Sequence, residues 1–173
     1  FHEGGRTGDM DVSLVYETVQ QKMIENDEDA IWLIQQWSGS MTDAKLSGLK
    51  VKDQALVLDL FSEINPSYSV MERNDIPWVW CMLHNFGGRM GIDGNPDDVS
   101  QNIPDDHQST EYMQGIGMTP EAIENSPMMY ELLWDMTWTK DPIDYREWVQ
   151  DYAERIYGGT NEDIQRVWEI MLE

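Results

Sequence analysis

Apolar residues recur along this 173-residue chain in two different rhythms. Val12, Val15, Val19 and Met23 have helical spacing, which predicts an amphipathic helix from about residue 11 to residue 26. Short apolar runs bounded by polar turns predict four strands, at residues 30–37, 55–61, 77–83 and, more weakly, 113–118. The run at 30–37 has the composition of a strand that is buried on both faces.

The segments between and after the strands divide into helices and loops. Helical spacing predicts helices at about 128–138, 143–157 and 161–172, and a short helical or irregular piece at about 42–49. Residues 92–111 are polar and contain Gly94, Pro96 and Pro104, which predicts a loop between the third and fourth strands.

Apolar strands separated by long connections are typical of a parallel sheet. Each predicted strand is followed by polar or aromatic residues, and in a β/α barrel the carboxyl ends of the strands form the active site. A barrel has eight strands, so four strands plus a segment ending at Glu3 predict the second half of a barrel, followed by helices. The strand-end residues are Glu3, Gln36, Trp37, Asp59, Glu63, His84, Asn85 and Glu121.

Composition narrows the classes of partner. The chain carries 11 Lys and Arg against 33 Asp and Glu, a formal charge of -22, which disfavours nucleic acid and anionic membranes. Eight Trp and 40% hydrophobic residues supply the apolar area for a core. No apolar run is long enough to predict a membrane span. The start at Phe1, without Met or a signal-peptide pattern, is typical of an incomplete segment.

No pattern predicts a metal or a cofactor. Cys81 is the single cysteine, which excludes a Cys-based zinc site. The acidic segment at 93–104 resembles a calcium loop but has Asp98 in place of glycine and Pro104 in place of glutamate. The glycines fit neither the dinucleotide nor the phosphate fingerprint. Cys81 could act as a nucleophile near His84, but a Cys inside an apolar strand is more typical of packing.

Carboxylates together with aromatic side chains favour carbohydrate chemistry. Sugar rings stack on Trp, and glycosidic bonds are cleaved by paired carboxylates. Glu3 and Glu121 each stand where a predicted strand gives way to a loop, although composition alone cannot choose a pair among so many acids. A non-catalytic carbohydrate- or protein-binding module also fits the acidity and the Trp content.

Several motifs resemble those of the alpha-N-acetylglucosaminidases of glycoside hydrolase family 89 and occur in the same order along the chain. The most specific is the block at 77–88, which reads Pro-Trp-Val-Trp-Cys-Met-Leu-His-Asn-Phe-Gly-Gly. The others lie at residues 1–3, 32–37, 56–61, 117–123, 128–130 and 138–142. The resemblance implies an α/β fold, a partial (β/α)8 TIM-type barrel from the end of strand 4 to strand 8. Residues 1–138 would form this C-terminal half of the barrel and residues 139–173 the start of an all-α domain.

The same resemblance implies a retaining exo-glycosidase without a cofactor that releases terminal α-linked N-acetylglucosamine from glycans. It assigns Glu3 as the general acid/base and Glu121 as the nucleophile. It places further side chains at the substrate pocket, although a Trp or His there fits core packing equally well. These side chains are His2, Trp37, Trp80, Cys81, His84 and Asn85.

The resemblance also bears on partners and setting. The rest of the barrel and of the helical domain would be partners of this chain, so we expect the chain by itself to be inactive. A secreted, periplasmic or lysosomal setting is implied without a choice among them. A barrel glycosidase for another α-linked sugar is the alternative within enzymes.

Overall fold

The structure is a computed structural model that describes residue 8 and residues 10–85, 94–121 and 123–172. A parallel four-stranded sheet has helices packed against one of its faces. The elements in chain order are α1 (Val12–Asn26), β1 (Trp32–Gln36), α2 (Asp43–Leu46), a 3₁₀-helix (Lys52–Gln54), β2 (Ala55–Asp59), α3 (Ser69–Glu72), β3 (Trp78–Met82), a π-helix (Asp98–Asn102), α4 (Ile103–Ser109), β4 (Met113–Met118), α5 (Pro127–Met136), α6 (Tyr145–Tyr157) and α7 (Glu162–Met171).

The sheet has the simple order β1-β2-β3-β4, and every neighbouring pair is parallel. Gln36 at the end of β1 is in register with Asp59 at the end of β2, and Asp59 is in register with Trp80 on β3. The register shifts once between β3 and β4, beside Trp78. The four carboxyl ends therefore lie side by side along one edge, and the predicted parallel sheet is confirmed.

The core lies between the sheet and the helices. Val57, Trp78, Trp80 and Met82 alternate along their strands and are fully buried on this face. Tyr68 stacks on Trp78 with ring centroids 4.6 Å apart. Burying one such ring contributes about 2–3 kcal/mol, so these aromatic side chains are a major part of the stability of the fold.

The opposite face of the sheet is open at β1. Leu33 is 60% exposed, whereas Ile34 beside it is buried. The prediction of a strand buried on both faces is therefore wrong for β1 in this chain. The composition of the strand is that of a barrel interior, but no element in the described ranges covers that side of Leu33.

Helix α1 has the predicted extent but buries a different face. Asp11 caps it by accepting hydrogen bonds from the backbone N–H groups of residues 13 and 14. The buried side chains are Tyr16 and Gln20, while Val19 is exposed. Tyr16 packs on Trp32 of β1 at 5.1 Å, which fixes the face that α1 turns to the sheet.

The predicted loop at 92–111 is wrong over most of its described part. Residues 98–102 form a π-helix that continues into α4. Val99 and Ile103, four positions apart, are buried together, and Pro104 sits in the first turn of α4, where its missing N–H removes no helical hydrogen bond. The helices predicted at 42–49, 128–138, 143–157 and 161–172 are confirmed within a few residues at their ends.

Gly48 allows α2 to approach α1 closely. A Cβ at this position would lie 2.2 Å from the backbone oxygen of Ser13 and 2.8 Å from Cβ of Tyr16. Because backbone atoms cannot move aside cheaply, we expect Gly48→Ala to lower the free energy of unfolding by about 2 kcal/mol or more. Urea unfolding followed by far-UV circular dichroism measures the change.

Gly115→Ala is the matched control for this substitution. Gly115 lies in β4, and no atom of the described residues stands within 4 Å of a Cβ added there. We expect its unfolding midpoint to equal or slightly exceed that of the parent chain, since alanine lowers the entropy of the unfolded state. Equal midpoints for the two variants would contradict the close approach at Gly48.

Candidate active site

The carboxyl ends of the strands are joined by backbone hydrogen bonds. The N–H of Leu60 donates to the carbonyl of Gln36 (3.1 Å), and the N–H of Ser62 donates to the carbonyl of Cys81 (3.0 Å). The N–H of Thr119 donates to the carbonyl of Met82 (2.9 Å). These bonds link β1 to β2, β2 to β3 and β3 to β4, so the segments that follow the strands form one continuous rim.

An open cleft of about 760 Å³ lies along this rim and the uncovered face of the sheet. Its wall is apolar where the side chains of Leu33, Leu58 and Leu60 face it. Among the described residues, Glu121 and Trp37 bring a carboxylate and an indole to its rim, and Trp32 also lines the cleft. This combination suits a sugar ring, which needs an apolar face to stack on and a polar group to act at its edge.

Glu121 stands exposed at the rim, three residues after the end of β4. Thr119 fixes the chain before it, since its hydroxyl donates to the carbonyl of Leu60 (2.9 Å) while its N–H bonds to β3. The carboxylate is therefore carried by backbone that is anchored to two neighbouring strands. Such anchoring is what a catalytic carboxylate requires, because small displacements of a reacting group lower rates steeply.

Trp37 follows β1 and is half-buried beside the cleft. It stacks on Phe61 with ring centroids 5.6 Å apart and an interplanar angle of 23°. Ser40 accepts a hydrogen bond from its backbone N–H at 3.1 Å. The indole is thus held in a fixed orientation at the rim while part of it is accessible to a ligand.

His84 and Asn85 lie behind the rim and do not line the cleft themselves. Both are buried, at 4% and 0% exposure. Nδ1 of His84 lies 3.1 Å from Oδ1 of Asn125, and the Asn85 amide donates to the carbonyl of Glu124. The two residues therefore contact the segment that follows Glu121 and not the cleft directly.

The structure does not bring Trp80 to the cleft. Trp80 is fully buried on the helix-covered face of β3, within the core. Cys81 points to the other face, where its sulfur lies next to Gly117 of β4. Burial raises the pKa of the Cys81 thiol to about 12, and the charges of Asp59 and Glu63 add to the effect, which favours a packing role for this thiol over a nucleophilic one.

His2 and Glu3 lie outside the described residues. Of the side chains that the sequence assigned to the site, Trp37 and Glu121 meet at one cleft, and His84 and Asn85 support its rim.

Two carboxylates at this edge of the sheet, Asp59 and Glu63, are buried. Burial raises the pKa of Asp59 to about 6 and that of Glu63 to about 7. Hydrogen bonds from backbone N–H groups lower both pKa values and so offset part of this effect. Asp59 accepts from the N–H of Ser67 (2.7 Å), and Glu63 accepts from the N–H groups of Leu83 (2.9 Å) and His84 (2.7 Å). Asp59 ends β2 and Glu63 lies four residues further on, and this location at a strand end is what the sequence offers for predicting a role for them.

The described ranges hold no group of three metal-ligating side chains. Within those same ranges, no helix has the length and apolar character needed to cross a membrane.

The family model described as "Alpha-N-acetylglucosaminidase (NAGLU) tim-barrel domain" matches residues 1–140. The chain belongs to the alpha-N-acetylglucosaminidase family. The family match and the parallel sheet together confirm the predicted TIM-barrel class, in partial form and with accompanying helices.

Human alpha-N-acetylglucosaminidase is 34% identical over 171 residues, an alignment that covers 89% of this chain and 22% of the human protein. A family 89 glycoside hydrolase from Clostridium perfringens, in complex with 2-acetamido-1,2-dideoxynojirmycin, is 55% identical with a TM-score of 0.95. That match covers 99% of this chain and 20% of the bacterial chain.

A second structure of the Clostridium perfringens enzyme carries two Glu→Gln substitutions and is in complex with its substrate GlcNAc-alpha-1,4-galactose. It is 53% identical, with a TM-score of 0.94, over 99% of this chain and 19% of that chain. The chain thus spans about a fifth of the length of the relatives it matches.

Proposed function

We propose that this chain is the part of a retaining exo-glycoside hydrolase that carries both catalytic glutamates, Glu3 and Glu121. The enzyme would release terminal α-linked N-acetylglucosamine from glycans and would need no cofactor. The observation that carries the proposal is the family membership combined with Glu121 and Trp37 on one cleft at the carboxyl ends of the strands.

The pairing of Glu3 with Glu121 has independent support. In the substrate complex of the Clostridium perfringens enzyme, the two glutamates replaced by glutamine are separated by the same number of positions as Glu3 and Glu121 here. The match to that structure covers nearly all of this chain. Equal spacing at this coverage favours the same two positions in both chains.

The chemistry of the substrate explains why two protein carboxylates are needed. In an α-linked N-acetylglucosaminide the 2-acetamido group lies on the same side of the ring as the leaving oxygen. Its carbonyl cannot reach the opposite side of the anomeric carbon, so the protein must supply the nucleophile. Glu121 forms the glycosyl ester, and Glu3 protonates the leaving oxygen and then deprotonates the water that hydrolyses the ester.

This mechanism sets a geometric requirement. A retaining pair needs its carboxyl groups about 5–5.5 Å apart, on opposite sides of the anomeric carbon. Glu3 must be protonated when substrate binds, which a neighbouring carboxylate and an apolar wall favour. Leu33, Leu58 and Leu60 supply such a wall on the described side of the cleft.

We assign the pocket roles that the described contacts support. Trp37 stacks on the sugar ring, and His84 and Asn85 hold the segment after Glu121. His2 is retained as a substrate contact through its place beside Glu3 in the sequence. Trp80 and Cys81 are both buried, and we assign them to packing.

The chain is proposed to act within a longer polypeptide of the length of its relatives. In that polypeptide β1 to β4 would be strands 5 to 8 of the barrel, with residues 1–138 forming its C-terminal half. Residues 139–173 would begin the α-helical domain. The partners of this chain are then the rest of its own barrel and of the helical domain, which would cover the exposed Leu33 side of the sheet.

Hydrolysis of aryl glycosides by this longer polypeptide tests the proposal. We expect release from the α-N-acetylglucosaminide, at least about 10²-fold slower release from the α-glucoside, whose ring lacks the acetamido group, and none from the β-N-acetylglucosaminide. Proton NMR should show the α-anomer of the free sugar forming first. The isolated 173-residue chain should be inactive. A β-anomer as first product, or equal rates on the glucoside, would overturn the assignment.

A further inference from the structure

Glu63 is a carboxylate enclosed by the rim of the candidate active site. It lies four residues after β2, outside the cleft lining, and only 3% of it is exposed. Isolated charged or polar groups are buried only when hydrogen bonds compensate for lost hydration. One of its oxygens, Oε1, has such bonds, and they lead to the end of β3.

The two N–H groups that donate to Glu63 belong to a strained turn. Oε1 accepts from the N–H of Leu83 at 2.9 Å and from that of His84 at 2.7 Å. His84 has φ +66°, in the left-handed region that non-glycine residues seldom occupy. Backbone in that region persists only where surrounding contacts hold it. Two hydrogen bonds to one buried oxygen are such a contact.

The turn at His84 in turn holds the segment that follows Glu121. Nδ1 of His84 lies 3.1 Å from Oδ1 of Asn125, and the hydroxyl of Tyr130 donates to the same oxygen (3.2 Å). The ring of His84 also packs edge-on against Tyr130, with centroids 5.5 Å apart. One residue on, the amide of Asn85 donates to the carbonyl of Glu124. The contacts to Glu124 and Asn125 fall within four residues of Glu121, and Tyr130 lies nine residues after it.

The geometry points to Glu63 as a positioning residue for Glu121, acting through the His84 turn and Asn125. This inference rests on the proposed function, since it assumes that Glu121 is the nucleophile. Glu63 does not touch the cleft, and its effect passes through backbone N–H groups. A side chain at position 63 that accepts two hydrogen bonds in the same place should therefore preserve the function without carrying a charge.

The test compares Glu63→Ala with Glu63→Gln in the longer polypeptide. Glu63→Ala leaves two N–H groups without an acceptor, so we expect kcat to fall about 10- to 100-fold while KM stays within about 3-fold. Glu63→Gln keeps an acceptor oxygen, and we expect it to restore kcat to within about 3-fold of the parent enzyme. Equal loss in both variants would overturn the inference.

Glu72→Ala is the control for general loss of stability. Glu72 accepts hydrogen bonds from Trp78 and Thr110, away from the rim. We expect its melting temperature to fall while kcat is unchanged. If Glu63→Ala lowers the melting temperature but leaves kcat unchanged, as this control does, the positioning role is refuted.

A double substitution tests the route through Asn125. If Glu63 acts through His84 and Asn125, the rate of Glu63→Ala/Asn125→Ala should equal that of the slower single variant, whereas independent effects would multiply. Multiplied effects would overturn the route. The parent enzyme, assayed alongside, separates the two proposals: an inactive parent refutes the proposed function, while an active parent with a fully active Glu63→Ala variant refutes the positioning role alone.

Discussion

Replacing Glu121 by alanine in the longer polypeptide should lower kcat by about 10⁴-fold, which corresponds to roughly 5 kcal/mol of transition-state free energy. Glu121 stands at the rim of the cleft on anchored backbone, so its loss removes the proposed nucleophile without disturbing a buried group. The rate on a dinitrophenyl α-N-acetylglucosaminide measures the loss. Azide should restore part of the activity by occupying the space of the missing carboxylate, and the product should be the β-glycosyl azide.

Glu111→Ala is the matched control for Glu121→Ala. Glu111 is an exposed glutamate just before β4, at the opposite end of the strand from Glu121. We expect its kcat to stay within about 2-fold of the parent, because its side chain lies away from the cleft. Undiminished activity in Glu121→Ala would remove Glu121 from the mechanism.

Replacing Glu3 by alanine should have an effect that depends on the leaving group. General acid catalysis contributes about 10²- to 10⁴-fold, and it is needed most when the leaving oxygen is basic. We expect a large loss on an alkyl or disaccharide α-N-acetylglucosaminide and a much smaller loss of glycosylation rate on the dinitrophenyl substrate. Single-turnover kinetics on the two substrates measure the difference.

Azide distinguishes the role of Glu3 from that of Glu121. In Glu3→Ala the glycosyl ester on Glu121 still forms, and azide should attack it from the α side to give the α-glycosyl azide. The two variants should therefore give products of opposite anomeric configuration. The same azide anomer from both variants would contradict the assignment of two distinct roles.

The sequence predicts the four strands and two of the residues that line the described cleft. β2 and β3 are almost continuous apolar runs, so these strands are predicted without any alternation to interpret, whereas β4 contains a glutamine and two glycines and is predicted only weakly. Trp37 ends the run at 30–37 and Glu121 comes three residues after the run at 113–118, and these positions at strand ends predict both residues. The prediction at 92–111 is wrong because polar and proline residues there are typical of a loop, while only two aliphatic side chains, Val99 and Ile103, are buried in the helical part.

It is harder to predict from the sequence which face of the sheet a strand side chain points to. Trp80 and Cys81 are neighbours in one strand, so their side chains point to opposite faces and only one of them could face the barrel interior. The motif placed both at the pocket, and the structure puts Trp80 in the core. Glu63 could not have been assigned from its own neighbourhood, since its partners lie 20 and 21 positions further along the chain.

The left-handed backbone at His84 also limits how this position can vary over evolutionary time. Glycine, asparagine and aspartate adopt that conformation at little expense, whereas a β-branched residue would lose about 1–2 kcal/mol from the backbone alone. None of these three residues has a ring, whereas histidine brings its imidazole to Asn125 and Tyr130. The residue types that position 84 can accept are therefore limited both by the backbone conformation and by the contacts of the imidazole.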